Sequence, residues 1–419
     1  MNDLIRYSGD YFLAQSFASL LALYWFVVIF EIPRYLIAFF LVVFVPSRRQ
    51  IQTRTDDYKV SVIVAGHNEE KSVERCVLSL HEQSRIPDEI ILVSDGSNDK
   101  MSKKISDLLR RGLIHHAHGT ELRAGKSAGA NMASRWASGE IIINIDCDCS
   151  FDRDAIRNIL KPFSDPEVVA VSGNILLRNA WKNLITRFQA IEYMVTISLG
   201  KQAMDRMNQV SCVSGAMGAF RSEVYHEIGG LDAGGGEDLD LTLRLRRKGG
   251  KIRFAPDAIC FTDVPETVQH LLDQRFRWER DSVRLRYRKH IDMMNPFSRT
   301  FSLKELFHEL EFLLFNVISA IALPFYLLWL FYTYGEFALV VILSAQLGLA
   351  VLDTLTFLLA AHLNPAQGSW RLMPYMFGFS VFNGYFMRFV RVSAYVQEWV
   401  FRASYFDAYV PPKVNQVRD

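Results

Sequence analysis

The residues best able to do chemistry in this chain are acidic, and they come in pairs. Asp146-Cys147-Asp148 closes the apolar run 140–146. In an extended chain, period-two geometry puts both carboxylates on one side and Cys147 and Cys149 on the other. Two close carboxylates repel unless a cation lies beside them. A hard divalent ion such as Mg2+ or Mn2+ takes oxygen ligands, commonly one or two protein carboxylates with phosphates completing its shell. Such an ion neutralises the charge that develops on a departing diphosphate. Asp146 and Asp148 are therefore the candidate metal ligands. The second pair, Glu237-Asp238, follows Gly234-Gly235-Gly236. Both acids suit a helix N-terminus, but three glycines also allow unusual backbone angles and close approach of a substrate. A carboxylate placed there can act as general base towards an acceptor hydroxyl. The third cluster, Gln274-Arg275-Phe276-Arg277-Trp278, lies on a predicted helix after Thr267, with Gln274 and Trp278 one turn apart and sharing a face with Arg277. Amide, guanidinium and indole together suit a diphosphate-sugar and a stacking surface for a pyranose ring. The neighbouring Arg280, Arg284, Arg286 and Arg288 fit equally well a basic helix lying near a membrane.

These residues need elements to hold them. The apolar run 60–64 gives way to a polar loop, Ala65 to Glu70, and then Val73, Val77, Leu78 and Leu80 fall at helical spacing. Residues 89–95 repeat the plan, ending at Asp95 before a predicted helix over 100–111. A third strand is predicted around 113–118, then a helix from Lys126, and a fourth strand at 140–146. Strands alternating with helices imply a mostly parallel sheet covered on both faces, with ligands at the carboxyl ends of the strands. Asp95, Asp146 and Asp148 all lie at such ends.

Composition divides the chain. Residues 11–45 and 307–386 are dominated by apolar side chains, whereas 49–306 carry most of the charge. The expected organisation is an N-terminal membrane segment (1–48), a catalytic domain (49–300) and C-terminal interfacial and transmembrane helices with a short tail (301–419). Residues 11–30 are long enough to span a hydrocarbon core. Glu31-Ile32-Pro33-Arg34 is expected to interrupt this span, and 35–45 reads as a kinked continuation, an interfacial piece or a second short helix. Positive charge over 47–54 marks the cytosolic side. Further on, 303–314 reads as an interfacial helix, with spans at 312–334, at 337–361 and, more weakly, at 374–389. Asn316, Asp353, Asn383 and Arg388 inside these segments suggest a lined path or helix contacts. The net charge of +2 gives no field for nucleic acid. Five cysteines without CxxC spacing favour free thiols in a reducing compartment. An integral inner (plasma) membrane protein with a cytosolic catalytic domain is expected.

With its acidic pairs and Gln274-to-Trp278 cluster in this order, the chain resembles the family-2 inverting glycosyltransferases, especially the membrane synthases of cellulose, chitin, hyaluronan and poly-N-acetylglucosamine. The resemblance covers about residues 58–290 and implies an α/β GT-A domain flanked by transmembrane helices. It also implies roles. His67, Asn68, Glu69 and Asp95 would hold the uridine part of a UDP-sugar, and Lys126 would approach the nucleotide or diphosphate. Asp146 and Asp148 would bind the diphosphate through Mg2+ or Mn2+. Asp238, with Glu237 beside it, would be the base, while Gln274, Arg277 and Trp278 would hold the diphosphate and acceptor sugar. Ser214 and Gly215 open a small-residue stretch near the acceptor. The implied reaction transfers glucose or N-acetylglucosamine from UDP to a growing glycan, with inversion, and passes the polymer outward through the adjoining helices. Membrane lipids, and export or regulatory subunits, are the further partners. After Trp278 the chain has Glu279-Arg280-Asp281 where many relatives carry small residues, and no room is expected after Asp419 for a cyclic-dinucleotide-binding domain. Rival readings are transfer of a single sugar to a lipid-linked acceptor with the same donor site, a two-carboxylate glycosidase, and a transporter or scaffold with a degenerate enzyme domain.

Overall fold

The computed structural model describes residues 11–46, 57–299, 301–364, 368–407 and 409–415. The basic stretch 47–54 lies outside the described residues.

Eight strands form one sheet: β1 (Val60–Gly66), β2 (Glu89–Asp95), β3 (His116–Thr120), β4 (Ile141–Asp146), β5 (Ser150–Phe151), β6 (Val168–Leu177), β7 (Met217–Arg221) and β8 (Lys251–Thr262), in the order β3-β2-β1-β4-β7-β6-β8-β5. The first four strands are parallel to one another, and β6 is parallel to β8. β7 runs antiparallel to both β4 and β6, and β5 antiparallel to β8. This is the mixed, mostly parallel GT-A arrangement flanked by membrane-type helices. The parallel strands β1, β2 and β4 are rich in branched apolar residues because both faces are covered. Val62, Val64, Ile143 and Ile145 pack on one side against Val77, Leu80, Ile105 and Leu108. Their alternates Ile63, Ala65 and Ile142 pack on the other against Ala130, Ala133, Leu241 and Leu245. Register places Ala65 beside Asp146 and Asp95 beside Thr120, so the polar strand ends lie along one edge.

Among the described residues, three helices are long and apolar enough to cross a membrane: Val27–Phe44, Leu303–Tyr334 and Phe337–Leu363. The N-terminal span is therefore displaced from the expected 11–30. The Glu31-to-Arg34 stretch does not interrupt it. The chain makes a π turn at Val27–Glu31 and continues as the helix Ile32–Phe44, where Pro33 sits in the first turn and needs no N–H partner. Glu31 is tolerated because Arg388 Nη2 lies 2.5 Å and Arg34 Nη2 3.6 Å from its carboxylate. Tyr35 donates to Asp353 at 2.5 Å. These residues make helix contacts. The stretch expected as a weak third C-terminal span is not among the three. It belongs to a helical run, Met376–Val381 through Met387–Phe401, whose Arg388, Arg391 and Glu398 are buried against Glu31, Glu279 and Arg288. The expected interfacial helix and its following span are one helix with a π turn at Leu313–Ile318.

Removing one partner of a buried ion pair leaves an uncompensated charge and costs about 3–5 kcal/mol. Arg388→Met should therefore lower the unfolding midpoint in detergent markedly. Glu31→Gln combined with Arg388→Met should recover part of the loss, and the two thermal scans check it.

Candidate active site

β4 ends at Asp146, and the chain turns through Cys147 and Asp148. Cys147 and Cys149 both lie in the core cluster as anticipated, and the Cys149 thiol in addition reaches Asp148 Oδ1 at 3.5 Å. Ligand atoms of Asp146, Asp148 and Cys149 all lie within 4.8 Å of one another. The turn is held from outside. Arg178 Nη2 donates to Asp148 O at 2.9 Å and to Phe261 O at 2.7 Å, and Thr262 Oγ1 donates to Asp148 Oδ2 at 3.3 Å. Burial, with Asp146 and Glu69 nearby, pushes the Asp148 carboxyl up to about 6. The pocket thus resists full ionisation unless positive charge enters it.

One cation is already present. Lys126 Nζ lies 2.6 Å from Asp146 Oδ1 and 3.2 Å from Glu237 Oε1, bridging the two acidic pairs. Burial alone would lower this ammonium, but the two carboxylates outweigh it and hold it well above its ordinary range. Burial raises Glu237 despite the lysine. Asp95 sets the position of Lys126, since its two oxygens accept the N–H groups of Ala124 and Gly125, each at 2.7 Å. In this structure Asp95 builds the loop that presents Lys126. His67 Nδ1 pairs with Asp95 O at 2.7 Å, and Asn68, at φ +60°, accepts the Asn98 N–H at 2.8 Å. Asn68, Glu69, Asn98 and Asp99 line an open cleft of about 470 Å³ at the ends of β1 and β2.

Glu237 and Asp238 begin the helix Glu237–Arg247, entered through Gly236 at φ +68°. Asp238 Oδ2 accepts the Gly215 N–H at 3.2 Å, which joins the glycine loop to the Ser214-Gly215 turn. Gly235 is required for a different reason: a Cβ there would collide with the Asp281 carboxylate. Arg284 Nη2 donates to Gly235 O at 2.8 Å.

The helix Val268–Arg284 carries the Gln274-to-Trp278 cluster. The helix is unbroken, so Gln274, Arg277 and Trp278 keep their one-turn spacing, each with its own surroundings. Trp278, 37% exposed, is covered by the Arg275 guanidinium 4.5 Å from its ring centroid, and Arg275 is itself paired with Glu192 at 2.7 Å. Gln274 Oε1 is buried without a hydrogen-bond partner. Arg277 lies 4.1 Å over the ring of Tyr409. Tyr409 was not foreseen. Arg123 donates to its carbonyl at 2.7 Å, Pro411 packs beside Gly125, and the charges of Lys126, Glu237 and Asp146 act on the phenol. The C-terminal tail thus crosses from the Lys126 loop to Arg277. The departures after Trp278 are struts: Glu279 binds Arg391 at 3.1 Å and Tyr395 at 2.8 Å, Arg280 binds Asp407 at 3.0 Å, and Asp281 fills the space over Gly235.

The structure therefore gathers Lys126, Asp146, Asp148, Gly215, Glu237 and Asp238 in one place, with His67, Asn68 and Glu69 at the adjoining cleft. No sequence spacing points to Arg178, Thr262 or Tyr409, which arrive from distant parts of the chain. Gly235→Ala should force Asp281 and the loop apart and misplace Glu237 and Asp238. A displacement of about 1 Å at such a site costs roughly a hundredfold in rate, so a turnover assay beside a thermal scan should show lost rate in protein that still folds.

Residues 61–229 match the sequence profile of glycosyl transferase family 2. The poly-β-1,6-N-acetyl-D-glucosamine synthase of Staphylococcus epidermidis is 27% identical over 281 residues, 66% of each chain. That of Staphylococcus aureus is 28% identical over 221 residues, 52% of this chain and 53% of its own. The matched stretch thus spans just under two thirds of the first relative and about half of the second. In three dimensions the chain is similar to a mannosyltransferase of Pyrobaculum calidifontis solved with GDP-mannose and Mn2+. The TM-score is 0.58 at 18% identity, over 91% of this chain and 97% of that one. Profile, relatives and fold agree with the acidic site at the strand ends: residues 61–229 match glycosyl transferase family 2, and the domain has a GT-A fold set beside membrane-type helices.

Proposed function

We propose that this protein is an inverting membrane hexosyltransferase that extends a β-linked polysaccharide from a UDP-sugar. UDP-N-acetylglucosamine is the favoured donor, by similarity to the poly-N-acetylglucosamine synthases. The observation that carries the reading is the meeting of Asp146, Asp148, Glu237 and Asp238 around Lys126, beside an open cleft at the strand ends. A glycosidase has no use for such a cationic loop or for the cleft next to it.

The chain's residues divide the work. The cleft at Asn68 and Glu69 takes the nucleoside, with His67 and Asp95 shaping its floor and the Lys126 loop. Asp146 and Asp148, with the Cys149 thiol close by, are the residues that would hold Mg2+ or Mn2+. When bound, that ion would neutralise charge on the departing diphosphate. Lys126 then faces phosphate oxygens in place of carboxylates, and Arg277, flanked by Tyr409, supplies the planar guanidinium suited to a diphosphate. Asp238, oriented by the Gly215 N–H, takes the proton of the acceptor hydroxyl as its oxygen bonds to the anomeric carbon. The bond from that carbon to the diphosphate oxygen breaks, and UDP leaves. Attack from the opposite side converts an α-linked donor into a β-linkage. Gln274 and Trp278 lie on the acceptor side. The basic helix that carries them is tied to Met387–Phe401 through Glu279, and that helix in turn pairs Arg388 with Glu31 of the N-terminal span. That arrangement suits export of a growing chain from a catalytic domain on the cytosolic face of the inner membrane.

Protein in nanodiscs, given a panel of UDP-sugars with Mn2+ or Mg2+, should release UDP with one preferred donor and give a ladder of products. EDTA should stop release. Asp238→Asn should lose roughly 10²–10⁴-fold in turnover, the usual contribution of a positioned base, while still binding UDP. A single-sugar adduct would replace polymer synthesis by transfer to a lipid-linked acceptor. Silence with every donor would overturn the proposal.

A further inference from the structure

Lys201 is a buried ammonium with no part in the chemistry above. It lies on the helix Gly200–Arg206, only 5% exposed, directly after a π turn at Tyr193–Leu199. π turns inserted into α-helices are frequent at functional sites. Its Nζ donates to Ser214 Oγ at 2.5 Å and to Ser172 Oγ at 3.0 Å. Among the described residues no carboxylate lies within ion-pairing distance of it. Burying a charge beside two hydroxyls alone is costly, and burial pulls the lysine below its ordinary range. The groups whose charge acts on it are the Cys212 thiol and, after it, the Asp238 carboxylate.

Two further bonds connect that lysine to the site. Ser172 Oγ also accepts the Ser214 N–H at 3.2 Å, so Lys201, Ser172 on β6 and Ser214 form a closed three-membered knot. The next residue in the chain, Gly215, gives its N–H to Asp238 Oδ2. The ammonium therefore fixes the turn whose backbone holds the carboxylate. A structural tie between β6 and this turn needs only the hydroxyl and the N–H. A positive charge there suits a turn whose next N–H is held by the Asp238 carboxylate.

From this geometry we infer that Lys201 is a positioning residue for Asp238, acting through Ser172, Ser214 and the Gly215 N–H. The inference rests on the reading of Asp238 as the base. It places the residue outside contact with substrate, so its removal should alter the rate of the chemical step and leave donor binding intact.

The test uses the full chain in nanodiscs with Lys201→Met, Ser172→Ala and their combination. Turnover, KM for the donor, UDP affinity by calorimetry and the thermal midpoint are measured for each. Lys201→Met should lower kcat roughly ten- to a hundredfold, the scale expected when a reacting group is misplaced, with KM and UDP affinity within about twofold of wild type. Ser172→Ala should lower kcat in the same way but less. The double variant should lose little more than Lys201→Met alone, because both act on one path. Should Lys201→Met fail to fold, Ser172→Ala carries the test: a fall in kcat without a change in KM or UDP affinity supports the inference. Unchanged kcat, losses of kcat and UDP affinity that move together, or fully additive losses would overturn it. Asp238→Asn assayed in parallel separates the two claims. If that variant retains turnover, the base assignment falls; if it is inactive while Lys201→Met is unimpaired, only the Lys201 inference falls.

Discussion

Four carboxylates converge at the ends of the parallel strands, and the salt bridges of Lys126 to Asp146 and Glu237 are what make that convergence tolerable. Much of the surrounding structure serves this contact. Asp95 is spent on two backbone N–H groups so that the lysine loop stands at the right height. Gly236 adopts a left-handed conformation so that Glu237 and Asp238 can begin their helix beside the DxD turn. Arg178 fixes the backbone of that turn without touching its carboxylates. The arrangement is crowded with negative charge by construction, which is the state a site needs if it is to receive a divalent ion together with a diphosphate.

A second constraint is mechanical. The helix Val268–Arg284 ties together the glycine loop, the tail and the helix Met387–Phe401. Asp281 and Arg284 clamp the glycine loop, Arg280 holds the tail through Asp407, and Glu279 binds Arg391 and Tyr395. The Glu279-Arg280-Asp281 sequence, unusual beside the resembled family, is thus explained by three separate contacts on three sides of one helix. The same helix run, Met387–Phe401, reaches Glu31 of the N-terminal span through Arg388. Catalytic loop, acceptor helix and membrane segments are in this way joined by buried ion pairs, whose desolvation makes each partner costly to lose.

How much of this was legible in the sequence follows from the range of the interactions. The strands at 60–66, 89–95 and 141–146 and their polar ends were readable because apolar runs and helical spacing are local signals. The DxD and Glu237-Asp238 pairs stood out because charge beside a buried strand or a glycine run is costly without a purpose. The Cys149 thiol also comes within reach of Asp148 because β4 ends at Asp146 and the chain turns before Cys149. The first membrane helix was misplaced because Pro33 and Glu31 look like breakers locally. Helix-start geometry accommodates the proline, and an arginine some 350 residues away neutralises the glutamate. Arg178, Lys201 and Tyr409 reach the site only through the folded topology, so no spacing announces them.

The most direct test of Lys126 as the charge that balances the acidic pairs is Mn2+ binding, followed by electron paramagnetic resonance, to wild-type protein and to Lys126→Met, each with and without UDP. If Lys126 holds the place between the acidic pairs, the variant should bind Mn2+ more tightly than wild type in the absence of nucleotide. About tenfold or more is expected, since a unit charge at 4 Å contributes several kcal/mol at intermediate dielectric. UDP should tighten Mn2+ binding strongly in wild type and much less in the variant. Equal Mn2+ affinity in the two proteins, with the same response to UDP, would contradict the claim that Lys126 balances the charge of the acidic pairs.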